Sequence, residues 1–83
     1  MASGAQIRAA RALLNWTQQY LAERSAVAAQ TIRLFETGAR EPYLQTVEAL
    51  EACLEQAGIL FVETDTAAGV MLKHNASDTR SGG

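Results

Sequence analysis

The sequence predicts a mostly α-helical domain in which a four-helix bundle is followed by a C-terminal β-hairpin. From residue 4 to about residue 58, apolar residues recur every three or four positions, which is the period of an amphipathic helix. The period then changes, because Ile59–Val62 is a short, β-prone apolar run. A turn-like stretch at 64–69 separates it from a second apolar run, Val70–Leu72, and this pattern indicates a hairpin.

The composition is that of one small globular domain. The chain has 83 residues, of which 48% are hydrophobic and 19% are charged. We expect a single domain over 1–73 and a disordered tail over 74–83, because the end of the chain is polar and finishes in glycines. A domain of this size buries only about 60% of its unfolded surface, so it often gains stability by oligomerising.

Four helices can be placed by their apolar stripes and end signals. The first runs from about Gly4 to Leu14. The second begins after Thr17, whose hydroxyl suits an N-cap because it can accept from free backbone N–H groups. The third covers about 28–37, and the fourth runs from about Leu44 to Ala57.

The second and third helices, with the tight turn between them, match the helix-turn-helix arrangement over Thr17–Gly38. In that arrangement the second helix of the pair is offered to the major groove of DNA. The chain carries, in order, IRAARALL, TQQYLA, VAAQTIRLFETG and REP, the last followed by another helix. Over about Gln6–Gly58 this ordered set resembles the helix-turn-helix domain of the Xre and phage-repressor-like transcription regulators, of which the lambda and 434 repressors are examples.

The resemblance implies a sequence-specific DNA-binding transcription regulator whose recognition helix is the third. Glutamine can pair with adenine, arginine with guanine, and threonine or leucine can touch a thymine methyl group. Arg33 is left open between guanine and a phosphate, and Leu34 between a thymine methyl and packing against the second helix. The predicted base-contacting residues are Ala29, Gln30, Thr31, Arg33 and Leu34.

Phosphate contacts are expected where the second helix begins and where the third ends. The free N–H groups after Thr17, together with the Gln18 side chain, form an anion site of the kind found at helix N-termini. The resemblance places a backbone-contacting basic residue at Arg40. It also implies an ion pair between Arg11 and Glu36 that holds the helices in register, with Arg11 approaching a phosphate.

Two alanines depart from the pattern of the resembling family. Ala26 stands where glycine is usual in the turn, and Ala28 stands where serine or threonine usually caps the recognition helix. Alanine is a poor N-cap, costing about 1 kcal/mol relative to serine. We therefore expect the first turn of the third helix to be less firmly fixed.

Charge is divided unevenly along the chain. The net charge is −2, yet residues 1–40 carry five arginines against two glutamates, whereas residues 41–83 carry two basic against seven acidic residues. Electrostatic steering follows the local potential, so the basic half can face DNA. Because the positive excess is modest, we expect few phosphate contacts per subunit and a shallow salt dependence.

Both faces of the predicted hairpin are apolar. One face can pack on the helices, and the other then needs cover. We predict a symmetric homodimer that places two recognition helices on the half-sites of a palindromic operator, about 34 Å apart. The alternative is a monomer that folds this face under its own tail. The predicted dimer-interface residues are Leu60, Phe61, Val62, Val70 and Leu72.

Other classes of function fit the sequence poorly. It has no nucleophile–base pair, glycine-rich phosphate loop or metal-ligand spacing, which argues against an enzyme, a cofactor or a metal site. No apolar run approaches the roughly 20 residues of a membrane span, and the first residues lack a signal-peptide core. With the single Cys53, these features favour the cytoplasm of a bacterial or phage-type system, in association with the nucleoid. The main competing function is an antitoxin or adaptor whose hairpin binds another protein.

Overall fold

Helices occupy the first two thirds of the chain and a hairpin follows them. The computed structural model describes residues 1–74, so the tail predicted at 74–83 lies, apart from His74, outside the described residues. The elements are α1 (Gly4–Leu14), α2 (Gln18–Ser25), α3 (Ala29–Glu36), α4 (Leu44–Gln56), β1 (Ile59–Glu63) and β2 (Ala68–Leu72). The predicted fold class is confirmed, and each helix or strand boundary that the sequence analysis gives lies within two residues of the observed one.

The helices differ in how well their first turns are capped. Ser3 and Gln6 form a capping box on α1, in which each side chain accepts from the backbone N–H of the other residue. The Thr17 hydroxyl accepts from the Tyr20 N–H at 2.9 Å and caps α2, as the sequence predicts. Ala28 gives α3 no side-chain hydrogen bond, which leaves α3 with the weakest of these three starts.

The turn between α2 and α3 passes through a backbone conformation that favours glycine. Ala26 has φ of 61° in the left-handed region, where the Cβ atom of an L-residue costs about 1–2 kcal/mol. This explains why glycine is usual at this position in the resembling family. The Ser25 hydroxyl supports the turn, since it donates to the Leu21 carbonyl at 2.7 Å and accepts from the Val27 N–H at 3.3 Å.

One hydrophobic core joins all four helices to the hairpin. On α1, α3 and α4 its members recur at the three- and four-residue spacing read from the sequence, α2 contributes Leu21, and all members are at most 6% exposed. Half-buried apolar side chains, among them Trp16 and Val27, pack around it. The buried core residues are Ala2, Ile7, Ala10, Leu21, Ile32, Phe35, Val47, Leu50, Leu54 and Ile59.

The start of α1 lies directly against the end of α3. A Cβ atom built on Gly4 would come within 2.0 Å of the Phe35 carbonyl oxygen and 2.7 Å of its carbon. Both are backbone atoms, so no side-chain rotation could relieve the overlap. Glycine at position 4 is therefore a requirement of the close approach between these two helices.

The hairpin packs on α1 and α4 through one of its two faces. Its register pairs Ile59 with Leu72 and Phe61 with Val70, which places these four side chains on one side of the ribbon. Gln6 fixes the attachment to α1, since its amide nitrogen donates to the carbonyls of Val62 and Gly69, at 3.3 and 2.9 Å.

Candidate nucleic-acid interface

One face of helix α3 is polar and points away from the core, and we call this face the outer arc. Ile32, Phe35 and Glu36 are buried on its inner side, where α2 and α1 pack. The exposed side chains on the outer arc are Gln30, Arg33 and Thr37, which lie at the three- and four-residue spacing of one helix face. This arc is the surface that α3 can present to a partner.

The five predicted base-contacting residues do not share one environment. Gln30 and Arg33 are exposed on the outer arc, and Ala29 and Leu34 are half-buried beside it. Thr31 is half-buried on the other side of α3, in a cleft lined by residues of the loop before α4 and of its first turn. Thr31 therefore shares a cleft with Arg40 and Tyr43 and is not among the exposed side chains of the outer arc.

Gln30 and Arg33 are joined by a hydrogen bond. Arg33 Nη2 donates to Gln30 Oε1 at 2.7 Å, across one turn of the helix. The carbonyl oxygen of the glutamine thus already accepts a hydrogen bond, whereas its amide nitrogen and the remaining N–H groups of the arginine have no partner among the described residues and belong to exposed side chains.

Arg11 and Glu36 form a buried, two-pronged ion pair behind the outer arc. Arg11 Nε lies 2.8 Å from Glu36 Oε2, and Arg11 Nη2 lies 2.8 Å from Glu36 Oε1. The side chains are 16% and 2% exposed. The hydrogen bond to the carboxylate raises the pKa of Arg11 above its ordinary value, although burial acts in the opposite direction. The pair therefore ties α1 to the last turn of α3.

Two of the predicted phosphate-contacting residues, Arg11 and Gln18, form hydrogen bonds with Glu36. Arg11 Nη1 also donates to the Trp16 carbonyl at 2.8 Å, so three of the N–H groups of this arginine are used inside the protein. Gln18 Nε2 donates to Glu36 Oε1 at 3.0 Å. Among the described residues the other two guanidinium N–H groups of Arg11 have no hydrogen-bond partner, and its side chain is 16% exposed, so its phosphate contact stays a prediction. The Gln18 side chain is likewise oriented toward Glu36.

The other two predicted phosphate contacts lie at the surface. Thr17 is exposed at the N-terminus of α2, and its hydroxyl hydrogen stays free while its oxygen caps the helix. Arg40 is exposed in the loop between α3 and α4. The structure thus leaves exposed an N–H-rich helix start at α2 and a cation in the loop that follows α3.

A helix-turn-helix family model matches residues 7–56, more than half of the chain. This chain belongs to the helix-turn-helix family. The matched segment is of the Xre and lambda-repressor type, and it contains α2, the turn and α3 in full. A search of curated proteins finds no match to the chain. The protein is accordingly a DNA-binding helix-turn-helix regulator, from a family that is regulatory rather than typically enzymatic.

Sequence reasoning missed an aromatic and cationic cluster formed by Trp16, just before α2, with Tyr20 and Arg24 on α2. The rings of Trp16 and Tyr20 meet edge to face, with centroids 4.8 Å apart. Arg24 lies 5.6 Å and 5.7 Å from the two ring centroids and donates to the Tyr20 hydroxyl at 3.1 Å. The four-residue spacing of Tyr20 and Arg24 was the available signal, since it places these two side chains on one face of α2.

The predicted dimer-interface residues are divided between the two faces of the hairpin. Phe61 and Val70 pack against the chain's own core, which removes them from a free surface. Leu72 shares their face by register but is 42% exposed at the end of β2. Leu60, which is 42% exposed, and the half-buried Val62 lie on the opposite face. Of the predicted interface residues, Leu60 and Val62 on the outer face and Leu72 at the end of β2 therefore remain available to a partner.

Residues 1–74 contain no group of three His, Cys, Asp or Glu side chains that could hold a metal ion. Within the same residues, none of the helices is long and apolar enough to cross a membrane. Cys53 is half-buried, and burial raises the pKa of its thiol despite the opposing charge of Arg24. A thiol with a raised pKa is a weak nucleophile near neutral pH.

Proposed function

We propose that this protein reads a specific operator sequence by placing α3 in the major groove of DNA. The observation that carries the proposal is the polar outer arc of α3, with Gln30 and Arg33 exposed, on a helix that Arg11 and Glu36 hold against α1. Side chains of this kind read base edges, and a rigid support fixes their position in the groove. We place this activity in a bacterial or phage-type cytoplasm, on nucleoid DNA.

Phosphate contacts from the start of α2 and from the loop after α3 would orient α3 in the groove. The first backbone N–H groups of α2 lack partners within the helix, and Thr17 adds a hydroxyl beside them. Arg40 supplies an exposed charge in the loop after α3. With one exposed cation in this set, affinity should fall only weakly with salt, because each neutralised phosphate contributes about 0.9 to the logarithmic slope.

We further propose that the protein binds a palindromic operator as a homodimer through the outer face of the hairpin. That face carries Leu60, Val62 and Met71, of which Leu60 and Met71 are 42% and 53% exposed. An apolar face on a two-stranded ribbon favours burial against another sheet. A two-fold axis at this surface would present two copies of α3 to half-sites about 34 Å apart.

A second candidate function rests on the same surface. The outer face could instead bind a different protein, in which case the domain would act as an antitoxin or adaptor. The exposure of Leu60 and Met71 supports this alternative as well. The two candidates differ in what the purified protein does alone: only the first forms a dimer and selects DNA without another protein.

Selection from a randomised duplex pool at near-physiological salt tests the DNA proposal. The parent should enrich a motif with two-fold symmetry, and Arg33→Ala should relax it at defined base pairs. Arg8→Ala is the matched control, since it removes an equally exposed arginine from α1. Equal enrichment by the parent and Arg33→Ala would contradict reading by α3, and no enrichment by the parent would contradict sequence-specific binding.

Sedimentation equilibrium tests the dimer. Leu60→Glu should convert a dimeric protein to a monomer whose helical content is unchanged. Leu13→Glu is the control, because it makes the same substitution at a leucine of α1 that is 45% exposed and lies outside the hairpin. A parent that is monomeric at micromolar concentration would refute the homodimer, and so would a dimer that survives Leu60→Glu.

A further inference from the structure

We infer that Gln30 and Arg33 act as one unit that selects guanine, with Arg33 as the reader and Gln30 as its positioning residue. The inference rests on the proposed function, since it assumes that α3 enters the major groove. It differs from the expectation for an isolated glutamine, which would pair with adenine.

The geometry ties the two side chains together. Arg33 Nη2 lies 2.7 Å from Gln30 Oε1, a distance typical of a charge-assisted hydrogen bond. The residues are three apart on α3, so they lie on the same face one turn from each other. Both are exposed, and they form the N-terminal part of the outer arc. The bond reduces the freedom of a long, flexible arginine before DNA is present.

The bond also determines which hydrogen-bonding groups remain. Adenine is read by glutamine when the amide oxygen accepts from N6 and the amide nitrogen donates to N7. Here the oxygen already accepts from Arg33, and arginine has no acceptor of its own. What the unit offers outward is therefore a set of N–H donors.

A donor-only unit favours guanine over adenine. Guanine presents two acceptors in the major groove, O6 and N7, and an arginine fork binds both. The Gln30 oxygen has a second lone pair, but a base that used it would bring its own amino group beside the Arg33 guanidinium. Donor would then face donor. Beside the Arg33 guanidinium the O6 acceptor of guanine is attracted, whereas the amino group of adenine is repelled, so the unit prefers guanine.

The test is the ratio of affinities for two duplexes that differ only at the base pair relaxed by Arg33→Ala in the selection. The parent should prefer guanine to adenine there by about 5- to 150-fold, the range of one bidentate contact. Replacing that guanine with 7-deazaguanine, which lacks the N7 acceptor, should remove most of the preference. Arg33→Ala should bring the ratio close to one.

Two substitutions at position 30 separate positioning from direct reading. Gln30→Ala frees Arg33 and should reduce the guanine preference several-fold. Gln30→Glu keeps an oxygen for Arg33, so it should weaken binding to both duplexes while it preserves their ratio. Gln56→Ala on α4, an exposed glutamine far along the chain from α3, is the control and should change neither value.

The outcomes distinguish this inference from the function on which it rests. A recovered motif with adenine at the base pair that Gln30→Ala relaxes would overturn the inference and leave operator reading intact. A loss of guanine preference in Gln30→Glu as large as in Gln30→Ala would overturn the positioning role. A parent that enriches no motif would instead contradict the proposed function itself.

Discussion

Helix α1 holds two parts of this molecule, the end of α3 and the hairpin, by different physical means. Against α3 it makes a backbone contact at Gly4 and a buried ion pair through Arg11. Against the hairpin it relies on apolar packing and on one amide, that of Gln6. Ion pairs and backbone contacts are directional, whereas apolar contacts tolerate small shifts. The comparison indicates that α3 is fixed in orientation, while the hairpin is attached on one face and remains open on the other.

Loss of the ion pair should give the largest effect. Glu36→Ala leaves the Arg11 guanidinium buried without its partner, which should destabilise the protein by about 3–5 kcal/mol. Urea unfolding measures this, with Glu48→Ala, an exposed glutamate on α4, as a control that should stay within about 0.5 kcal/mol. The double variant Arg11→Met with Glu36→Leu should recover much of the loss, because no charge is then buried alone. If Glu36→Ala lowers the free energy of unfolding no more than Glu48→Ala does, α1 does not hold α3 more firmly than it holds the hairpin.

The glycine contact should come second. Gly4→Ala forces α1 away from the Phe35 carbonyl and should cost about 1–3 kcal/mol, the usual range for overpacking. Gly69→Ala in β2 is the matched control, since a Cβ atom there meets nothing within 4 Å. Thermal unfolding of the two variants compares them directly. Equal melting temperatures would show that α1 and α3 can separate freely.

Removal of the amide should affect the hairpin more than the helices. Gln6→Ala removes two hydrogen bonds to the hairpin and half of the α1 capping box, and should cost about 1–2 kcal/mol on the scale of net hydrogen-bond contributions. Hydrogen exchange should speed up at the amides of β1 and β2 and change little in α3. Uniform acceleration across the chain would mean that the hairpin and the helices open as one unit.

An added cap should give the smallest change and the opposite sign. Ala28→Ser supplies the oxygen that α3 lacks and should stabilise the protein by about 1 kcal/mol. Thr17→Ala removes the existing cap of α2 and should cost a similar amount. Unfolding measured on the two variants gives both values. A gain in stability from Ala28→Ser would also show that the missing cap weakens the first turn of α3.

Local sequence patterns were sufficient to predict most of the fold. Helix bounds, the turn and the hairpin follow from periodicity and end signals, and the anomaly at Ala26 is visible as a missing glycine. The partner of Gln18 could not be predicted, because it depends on how α1, α2 and α3 converge on Glu36. The same holds for the hairpin: its two faces were recognisable as apolar, but only docking through Gln6 decides which of them is covered.

The site was predicted by residue type better than by geometry. Arg33 and Gln30 were identified as surface residues able to read bases, and their mutual hydrogen bond was not foreseen. A side chain with several possible partners chooses among them by distances of a few tenths of an ångström, which spacing alone does not give. Thr31 shows the same limit, since its position three residues from Leu34 does not reveal the cleft beside Arg40.

An amide chemical-shift map, recorded as the protein is titrated with its selected operator duplex, tests the central claim most directly. If α3 reads the operator, the largest chemical-shift changes fall on the amides at the start of α2 and along α3, while the signals of β1 and β2 do not move at a protein concentration where the free protein is already dimeric. Diluting the free protein should produce the reverse pattern, with changes confined to the outer face of the hairpin. Operator-induced changes centred on β1 and β2, with α3 undisturbed, would contradict the assignment of DNA reading to α3.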